Sequence, residues 1–171
     1  MLRAILIGPP GSGKSSVGKA LSRELSTSFE DTDELIEERE GRSIPEIFSE
    51  QGESVFRAIE REVVLKALSS NIGVISLGGG AVLDLDVQKA IKESSAEVIS
   101  LHIGLSNVLS RIINKGDRPL VAEDPERQWK ELLQRREPIY KSLATIEVST
   151  DNKKAYEVAR ELMVRMGLAR G

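Results

Sequence analysis

The sequence predicts a three-layer α/β domain with a largely parallel β-sheet. Short apolar runs alternate with segments in which apolar residues recur at three- and four-residue spacing, and this alternation is typical of consecutive β-α-β units. The chain has 171 residues, a length that suits one domain. We find neither an internal repeat nor a linker that would divide it, so residues 1–171 are expected to form a single domain.

The first expected strand is the apolar run at residues 4–7, and four more follow along the chain. They cover residues 28–31, 74–77, 98–103 and 145–148, and the strand at 28–31 is suggested mainly by its position. Helices are expected at residues 14–25, 53–69, 86–93, 106–113, 125–142 and 154–166. Because a helix is expected between nearly all consecutive strands, helices can cover both faces of the sheet.

Two segments interrupt this alternation. Residues 33–70 are helical in pattern and highly charged, with a turn or helix cap expected around Gly41, Ser43 and Pro45. Residues 114–125 carry Gly116, two prolines and several charges with little apolar content. We expect the first segment to be an inserted, helical substrate-binding region and the second to be a lid over the site.

Composition excludes several classes of chemistry. The chain contains no cysteine, which rules out disulfides, thiolate metal sites and thiol nucleophiles. Its formal net charge is −3, so no global positive field attracts nucleic acid or an anionic membrane. The apolar run at residues 4–7 is too short for a signal peptide or a membrane span, so we expect a cytoplasmic protein. We expect small-molecule partners, no nucleic acid and no membrane, with any anionic ligand held by a local site.

A phosphate-binding loop follows the first strand directly. Residues 8–15 read GPPGSGKS, a complete G-x-x-x-x-G-K-[ST] motif between an expected strand and an expected helix. Main-chain N–H groups of such a loop, together with the N-terminus of the helix, bind phosphate oxygens. Lys14 is expected to reach the β- and γ-phosphates of ATP, and Ser15 to offer its hydroxyl to Mg²⁺. The sequence thus predicts a P-loop nucleotide-binding fold.

The acid that holds the metal is expected at Asp31 or Asp33. The strands at 74–77 and 98–103 end in glycine rather than in an acidic residue, which leaves the Asp31-Thr32-Asp33 stretch as the source. Two acids at positions i and i+2 leaving a strand point to the same side. Asp31 is then expected to hold Mg²⁺, while Asp33 orients an acceptor hydroxyl and can take its proton. The alternative is that one of them merely caps a helix starting at Glu34.

Arginines and a glycine triplet supply the remaining candidates. Arg57 lies three residues before Glu60, which can fix its guanidinium for bidentate binding of a carboxylate; the alternative is a solvated face of charged residues. Gly78, Gly79 and Gly80 follow a strand and either form a turn or let a ligand contact the backbone. Arg118 in the expected lid and Arg136 on a helix can add positive charge at phosphate and substrate, although each on its own is more typical of a surface arginine.

In this order along the chain, these motifs resemble those of shikimate kinase. The resemblance is carried by residues 8–16, 31–33, 41–44 with 47–48, 56–57 with 59–60, 77–82, 118–120, and Arg136 with residues 138–140. It implies a monomeric, nucleoside-monophosphate-kinase-like fold that transfers the γ-phosphate of ATP to the 3-hydroxyl of shikimate, in the shikimate pathway to aromatic amino acids.

The resemblance also implies a role for each motif residue. It implies substrate binding by Asp33, Arg57, Arg136, Gly78, Gly79 and Gly80, with Phe48 and Phe56 as walls of the acceptor site. It implies ATP binding by Gly11, Ser12, Gly13, Lys14, Ser15, Ser16, Arg111, Arg118 and Lys153, with Arg118 closing over the phosphates and Arg111 and Lys153 on the adenine side. Asp33, Lys14 and Arg118 are the expected catalytic residues. Two positions depart from the family pattern: Glu30 replaces an apolar residue, and Lys153 stands where an arginine is common.

Two alternatives remain open from the sequence. One is another small-molecule kinase of the same fold, such as a gluconate-type kinase. The other is a non-catalytic nucleotide-binding module, which has no need for Asp33, Arg57 and Arg136 together.

Overall fold

A computed structural model describes residues 1–115 and 124–168, with side chains except at 111–115. Its strands are β1 (Ala4–Ile7), β2 (Phe29–Asp31), β3 (Val74–Ser76), β4 (Glu97–His102) and β5 (Ile146–Ser149). Its helices are α1 (Lys14–Glu24), α2 (Thr32–Glu40), α3 (Ile44–Gln51), α4 (Glu53–Leu68), α5 (Leu85–Glu93), α6 (Leu105–Lys115), α7 (Pro125–Leu143) and α8 (Ala155–Arg165). A short 3₁₀ helix, Ala81–Leu83, follows the glycine triplet.

The five strands form one parallel sheet in the order β2-β3-β1-β4-β5. β1 lies at its centre, with Ile5 opposite Ile75 of β3 and Val98 of β4. Its four residues are all buried, because a parallel sheet is covered on both faces. The predicted strands and the parallel α/β fold are therefore confirmed, with strand ends shifted by one residue at most positions.

Helices cover the sheet on both faces, which gives the three layers. One apolar core joins β1 and β3 to α4, α5 and α7 through residues such as Val64, Ile91 and Tyr140. The other joins the sheet to α1 and α8 through residues such as Leu21 and Leu162. This packing leaves the carboxyl ends of the strands uncovered at one edge, where ligands bind in open α/β sheets.

The inserted region consists of α2, α3 and α4, packed around a small core of their own. Ile36, Ile47, Phe56 and Val63 are its buried members. α2 ends at Gly41 in the left-handed conformation (φ 68°), and the Ser43 side chain caps α3 by accepting from the Glu46 N–H group. The expected turn at residues 41–45 is thus confirmed. The turn joins α2 to α3, and α3 packs against both α2 and α4.

The expected lid at 114–125 falls largely outside the described residues. α6 extends to Lys115, two residues beyond its predicted end, and α7 begins at Pro125. Arg118 lies outside the described part of the chain. Among the helices within residues 1–115 and 124–168, none is both long and apolar enough to cross a lipid bilayer.

Candidate active site

The phosphate-binding loop connects β1 to α1 in a conformation that depends on glycine. Gly11 and Gly13 have φ values of 78° and 91°, in the left-handed region that residues with a β-carbon rarely adopt. Gly13 is the N-cap of α1 and has no side chain to occupy the helix N-terminus. The first N–H groups of α1 therefore face the cavity at the sheet edge, as a phosphate-binding loop requires.

Lys14 folds back over this loop. Its ammonium donates to the carbonyl oxygens of Gly8 and Pro9, both at 2.9 Å, and the residue is only 8% exposed. These bonds hold a positive charge against the loop's concave side, next to Ser15 and Ser16, which line the same cavity. The Ser12 side chain is instead fully buried, and its carbonyl accepts from the Thr150 hydroxyl at 2.9 Å. Its N–H group donates to the Pro9 carbonyl at 3.2 Å, and Ser12 does not line the cavity, so the structure does not bring this predicted residue to the site.

Asp31 lies at the junction of β2 and α2 and has a partner for each carboxylate oxygen. Oδ1 accepts from the N–H groups of Asp33 (2.8 Å) and Glu34 (3.3 Å), which makes Asp31 the N-cap of α2. Oδ2 accepts from the Ser15 hydroxyl. Asp31 therefore does cap a helix, as the alternative holds. Capping occupies only one carboxylate oxygen, and the other contacts Ser15 at the end of the phosphate loop.

Strand alternation, which predicts that Asp31 and Asp33 face the same side, is wrong for this segment. α2 begins at Thr32 rather than at Glu34, so Asp33 lies in the first turn of a helix and not on a strand. Both side chains nevertheless line one cavity, because the chain turns sharply at the cap. An acidic first turn also suits the positive end of the helix dipole.

The three glycines after β3 are needed because functional side chains approach their backbone closely. A β-carbon on Gly78 would lie 2.6 Å from Asp33 Oδ1, and one on Gly80 would lie 2.6 Å from Arg57 Nη2. On Gly79 it would lie 3.0 Å from Pro10 Cδ and 3.3 Å from Arg136 Nη1. The triplet is thus more than a turn: each absent side chain makes room for a group of the candidate site.

Arg57 and Glu60 form the pair that the sequence predicts. Arg57 Nη1 donates to Glu60 Oε1 at 2.6 Å, and Glu60 is 3% exposed. The alternative of a solvated charged face is therefore wrong for Glu60. The Arg57 guanidinium also lies 5.2 Å from the centroid of the Phe56 ring, which restricts it further.

Burial raises the pKa of Glu60 above its ordinary value. The ion pair and hydrogen bond with Arg57 oppose this rise, while the nearby Asp33 carboxylate adds to it. Two acids and one arginine thus share a corner of the cavity. A negative charge is less costly there when a second cation, such as Arg136, is close.

Glu60 should make stability depend on pH. Its folded pKa exceeds the unfolded value of about 4.3, so the native state holds more protons between these two values. The stabilisation is present below the unfolded pKa and is lost as pH rises through the folded one. We expect the free energy of unfolding of the wild type to fall, relative to that of Glu60→Gln, as pH rises through that window.

Urea unfolding of both proteins across the acidic range measures this difference. Glu62→Gln is the matched control, since Glu62 lies on the same helix but is exposed beside Arg39. A difference between wild type and Glu60→Gln that is independent of pH would contradict the assignment.

Arg136 reaches the cavity from α7 and is 7% exposed. Burial lowers its pKa, as does the like charge of Arg57, whereas Tyr140 and Glu60 oppose the shift. Two guanidinium groups held near each other at a buried surface repel, and an anion between them relieves the repulsion. This arrangement favours an anionic ligand with planar oxygens, such as a carboxylate.

Phe48 of α3 and Phe56 of α4 form an apolar wall beside these charges. Their ring centroids are 4.7 Å apart, and the ring planes are tilted by 37°. Both line the cavity next to Ile44 and Pro45. A ligand that carries a carboxylate can therefore also bury an apolar ring face.

On the opposite side, the loop after β5 approaches the phosphate loop. Lys153 lines the cavity and pairs with Glu161 of α8 at 2.9 Å, a contact that the sequence prediction did not include. Thr150, also on the cavity, donates to the Ser12 carbonyl. Arg111 belongs to α6, and its side chain lies outside the described part of the structure.

A single cavity of about 1050 Å³ joins these groups. Of the predicted site residues, its lining contains Gly11, Gly13, Lys14, Ser15, Ser16, Asp31, Asp33, Phe48, Phe56, Arg57, Gly78, Gly79, Gly80, Arg136 and Lys153. Sequence reasoning did not assign Pro10, Glu37, Ser43 or Thr150 to it: Pro10 and Ser43 lie within motifs but were given no ligand role, and Glu37 and Thr150 lie outside every motif. The volume is enough for a nucleotide and a small acceptor side by side.

A sequence profile described as shikimate kinase matches residues 10–167. The chain belongs to the shikimate kinase family. It is 39% identical to the shikimate kinase of Rhodococcus jostii over 165 residues, covering 96% of this chain and 97% of the relative. Membership of this family makes the chain an ATP-dependent kinase, and the alternative of a non-catalytic nucleotide-binding module is set aside.

Solved structures agree with this family assignment. The shikimate kinase of Acinetobacter baumannii, solved in complex with shikimate, superposes with a TM-score of 0.92 and 32% identity, covering 98% of this chain and 94% of that one. A gluconokinase from Sinorhizobium meliloti superposes with a TM-score of 0.61 at 18% identity, covering 97% of this chain and 91% of that one. This second likeness concerns the fold alone.

Proposed function

We propose that this shikimate kinase family member transfers the γ-phosphate of ATP to the 3-hydroxyl of shikimate, giving shikimate 3-phosphate and ADP. The observation that carries the proposal is the cavity that joins a phosphate-binding loop to Asp33 and two arginines. The loop suits a triphosphate, the arginines suit a carboxylate, and Asp33 lines the same cavity beside Gly78. Shikimate combines a carboxylate, a small ring and ring hydroxyls.

In this reaction the 3-hydroxyl oxygen of shikimate bonds to the γ-phosphorus while the bond from that phosphorus to the β,γ-bridging oxygen breaks. The electron pair of the broken bond leaves with ADP, and the hydroxyl proton passes to Asp33 or to the transferred phosphoryl group. Phosphoryl transfer has a loose transition state, so orientation by Asp33 matters more than its strength as a base. Arg57 and Arg136 hold the carboxylate and thereby direct the hydroxyl.

Lys14 and the backbone N–H groups of Gly11, Gly13, Ser15 and Ser16 are the proposed phosphate ligands. Lys14 supplies a fixed cation where negative charge develops on the phosphoryl oxygens. The proposal retains Arg118 as a further phosphate ligand and Arg111 and Lys153 as contacts on the adenine side.

Mg²⁺ is the proposed metal, and the Ser15 hydroxyl and the Asp31 carboxylate would hold it. These two groups are hard oxygen donors in mutual contact at the edge of the phosphate loop. Within the described residues no group of three or more His, Cys, Asp or Glu side chains gathers into a metal site. One carboxylate with a hydroxyl suits Mg²⁺, which takes its other ligands from water and phosphates. When bound, the ion would neutralise charge on the β- and γ-phosphates.

An acceptor panel tests the proposed reaction. ADP release is measured with Mg-ATP and shikimate, quinate, gluconate or nucleoside monophosphates, and the phosphorylated product is identified by mass spectrometry. We expect turnover with shikimate alone. Turnover with gluconate and not with shikimate would overturn the proposal in favour of the gluconate-type alternative.

Arg57→Ala should weaken acceptor binding and leave ATP binding intact. Removing one partner of a buried charge-assisted contact costs about 2–5 kcal/mol, so the KM for shikimate should rise by about 100-fold. The KM for ATP should change by less than about twofold, because Arg57 lies on the triplet side of the cavity beside Gly80.

Arg61→Ala is the matched control for this variant. Arg61 lies on the same helix but pairs with Asp84 and Asp86 on the surface. Equal losses of affinity for shikimate and ATP in Arg57→Ala would show that Arg57 does not belong to the acceptor site.

We further propose that the chain acts as a cytoplasmic monomer and a single domain, without nucleic acid or membrane partners. Within the described residues, the proposed ligand-binding groups of a single chain line one cavity, and the net charge of −3 gives no global positive field. Light scattering with and without both substrates tests the first point. A molar mass of twice the 18.8 kDa of one chain would contradict it.

A further inference from the structure

Two buried hydroxyl groups hold the backbone of the glycine triplet from opposite sides. Thr32 Oγ1 accepts from the Gly78 N–H group at 3.1 Å, and Tyr140 Oη donates to the Gly79 carbonyl at 2.5 Å. Thr32 is 0% exposed and Tyr140 is 1% exposed. Solvent therefore does not compete for either hydrogen bond, and both can hold the backbone in one position.

Each hydroxyl is attached to an element that carries a group of the proposed site. Thr32 directly precedes Asp33 at the start of α2. Tyr140 lies four residues after Arg136 on α7, so the two side chains share one face of that helix. The single peptide bond from Gly78 to Gly79 thus joins the two hydrogen bonds, and the Tyr140 hydroxyl also interacts with Arg136 itself.

We propose that Thr32 and Tyr140 are positioning residues that fix the distance between Asp33 and Arg136 through the glycine triplet. This inference rests on the proposed function, in which Asp33 directs the acceptor hydroxyl and Arg136 binds the acceptor carboxylate. One small molecule must span both groups while its hydroxyl is aligned with the phosphorus.

The packing around the triplet explains why a shift there should matter. Asp33 and Glu60 pack where a side chain of Gly78 would be, and Arg136 and Pro10 pack where that of Gly79 would be. The glycines have no side chain to anchor them in this arrangement. Their backbone hydrogen bonds consequently decide how far the acceptor side lies from the phosphate loop, to which Pro10 belongs.

Thr32→Val tests the first bond, because valine keeps the shape of threonine and lacks the oxygen. A misplacement of about 1 Å can lower the rate by about 100-fold, so we expect kcat/KM for shikimate to fall by about 10- to 100-fold. The KM for ATP should stay within about twofold of wild type. Thr32→Ser keeps the hydroxyl and should restore kcat/KM to within about threefold.

Tyr140→Phe removes the second bond together with the contact between the Tyr140 hydroxyl and Arg136, and we expect kcat/KM for shikimate to fall by about 10-fold. Tyr156→Phe is its control, since Tyr156 is an exposed residue of α8. If the two bonds fix one backbone unit, the double variant Thr32→Val/Tyr140→Phe should lose less than the product of the two single losses.

Thr145→Val separates positioning from general stability. Thr145 Oγ1 also accepts from a backbone N–H group, that of Val98 at 2.8 Å, but Thr145 does not line the cavity. Its replacement should lower the thermal midpoint without changing kinetics. If Thr145→Val shows the same kinetic losses as Thr32→Val at an equal shift in Tm, the inference is overturned.

Amide exchange of Gly78, followed by NMR without any substrate, tests the bond independently of the acceptor. We expect slow exchange in wild type and Thr32→Ser, and faster exchange in Thr32→Val. Exchange unchanged in Thr32→Val, or wild-type kcat/KM for shikimate in that variant, would overturn the positioning role. Failure of wild type to phosphorylate shikimate would instead overturn the proposed function, and the Gly78 exchange rates would still decide whether Thr32 fixes the triplet.

Discussion

Replacing Lys14 with methionine should lower kcat by about 1000-fold, the largest loss expected from a single side chain in this protein. Lys14 is the cation of the phosphate loop, and its ammonium is already held against the loop by the carbonyls of Gly8 and Pro9. A preorganised charge of this kind stabilises the transition state without reorganisation during the reaction. Methionine keeps the length of the side chain and removes the charge and its three N–H donors.

Steady-state kinetics with shikimate and Mg-ATP measure this loss, and calorimetry measures nucleotide affinity. Lys19→Met is the matched control, because Lys19 lies on the same helix with its side chain exposed. Lys14→Met leaves the Gly8 and Pro9 carbonyls without these donors, so its thermal midpoint should fall below that of Lys19→Met, and the kinetics are compared well below both midpoints. A kcat for Lys14→Met within about tenfold of wild type would exclude a transition-state role for this lysine.

The sheet and its covering helices could be predicted from sequence because each element carries its own pattern. β1 is a short apolar run, β3 begins with the apolar residues Val74 and Ile75, and both strands are buried along their whole length. The weakest prediction was the strand at residues 28–31, and β2 proves to be a half-buried edge strand of three residues, Phe29–Asp31. An edge strand is partly solvated, so its sequence shows less of the apolar run that marks a central strand.

The phosphate loop was predictable for the same local reason, whereas the geometry of the acceptor side was not. The phosphate loop, with its own glycines and Lys14, lies within eight consecutive residues. The bond between Thr32 and Gly78 instead joins residues 46 apart, and that between Tyr140 and Gly79 joins residues 61 apart. Such contacts arise only when the helices pack, and no spacing along the chain encodes them.

The α2 N-terminus shows how a correct conclusion can follow from a wrong local structure. Strand alternation suggested that Asp31 and Asp33 face one side, yet Asp31 ends the strand and caps the helix that begins at Thr32. Ser, Thr, Asp and Asn favour both caps and active sites, so the sequence could not separate the two uses of Asp31. The structure shows that one carboxylate serves both, with an oxygen toward the helix and an oxygen toward Ser15.

Asp33→Asn should lower kcat by about 100- to 1000-fold while the KM for ATP stays within about twofold. Asparagine has the shape of aspartate and can still contact the acceptor, but it cannot take a proton and bears no charge. The loose transition state limits the loss, because little proton transfer has occurred when the bond to the leaving oxygen breaks. Removing the charge should also reduce the pKa elevation of Glu60, to which the Asp33 carboxylate contributes.

Single-turnover measurements at saturating shikimate isolate the chemical step from binding in this variant. Glu34→Gln is the matched control, since Glu34 is the next residue of α2 and is exposed. If Asp33 mainly orients the hydroxyl, the loss should persist at high pH, where solvent accepts the proton more readily; if it mainly acts as a base, the loss should shrink as pH rises. A kcat equal to that of wild type would show that the acceptor hydroxyl is directed by the arginines and the glycine backbone without this carboxylate.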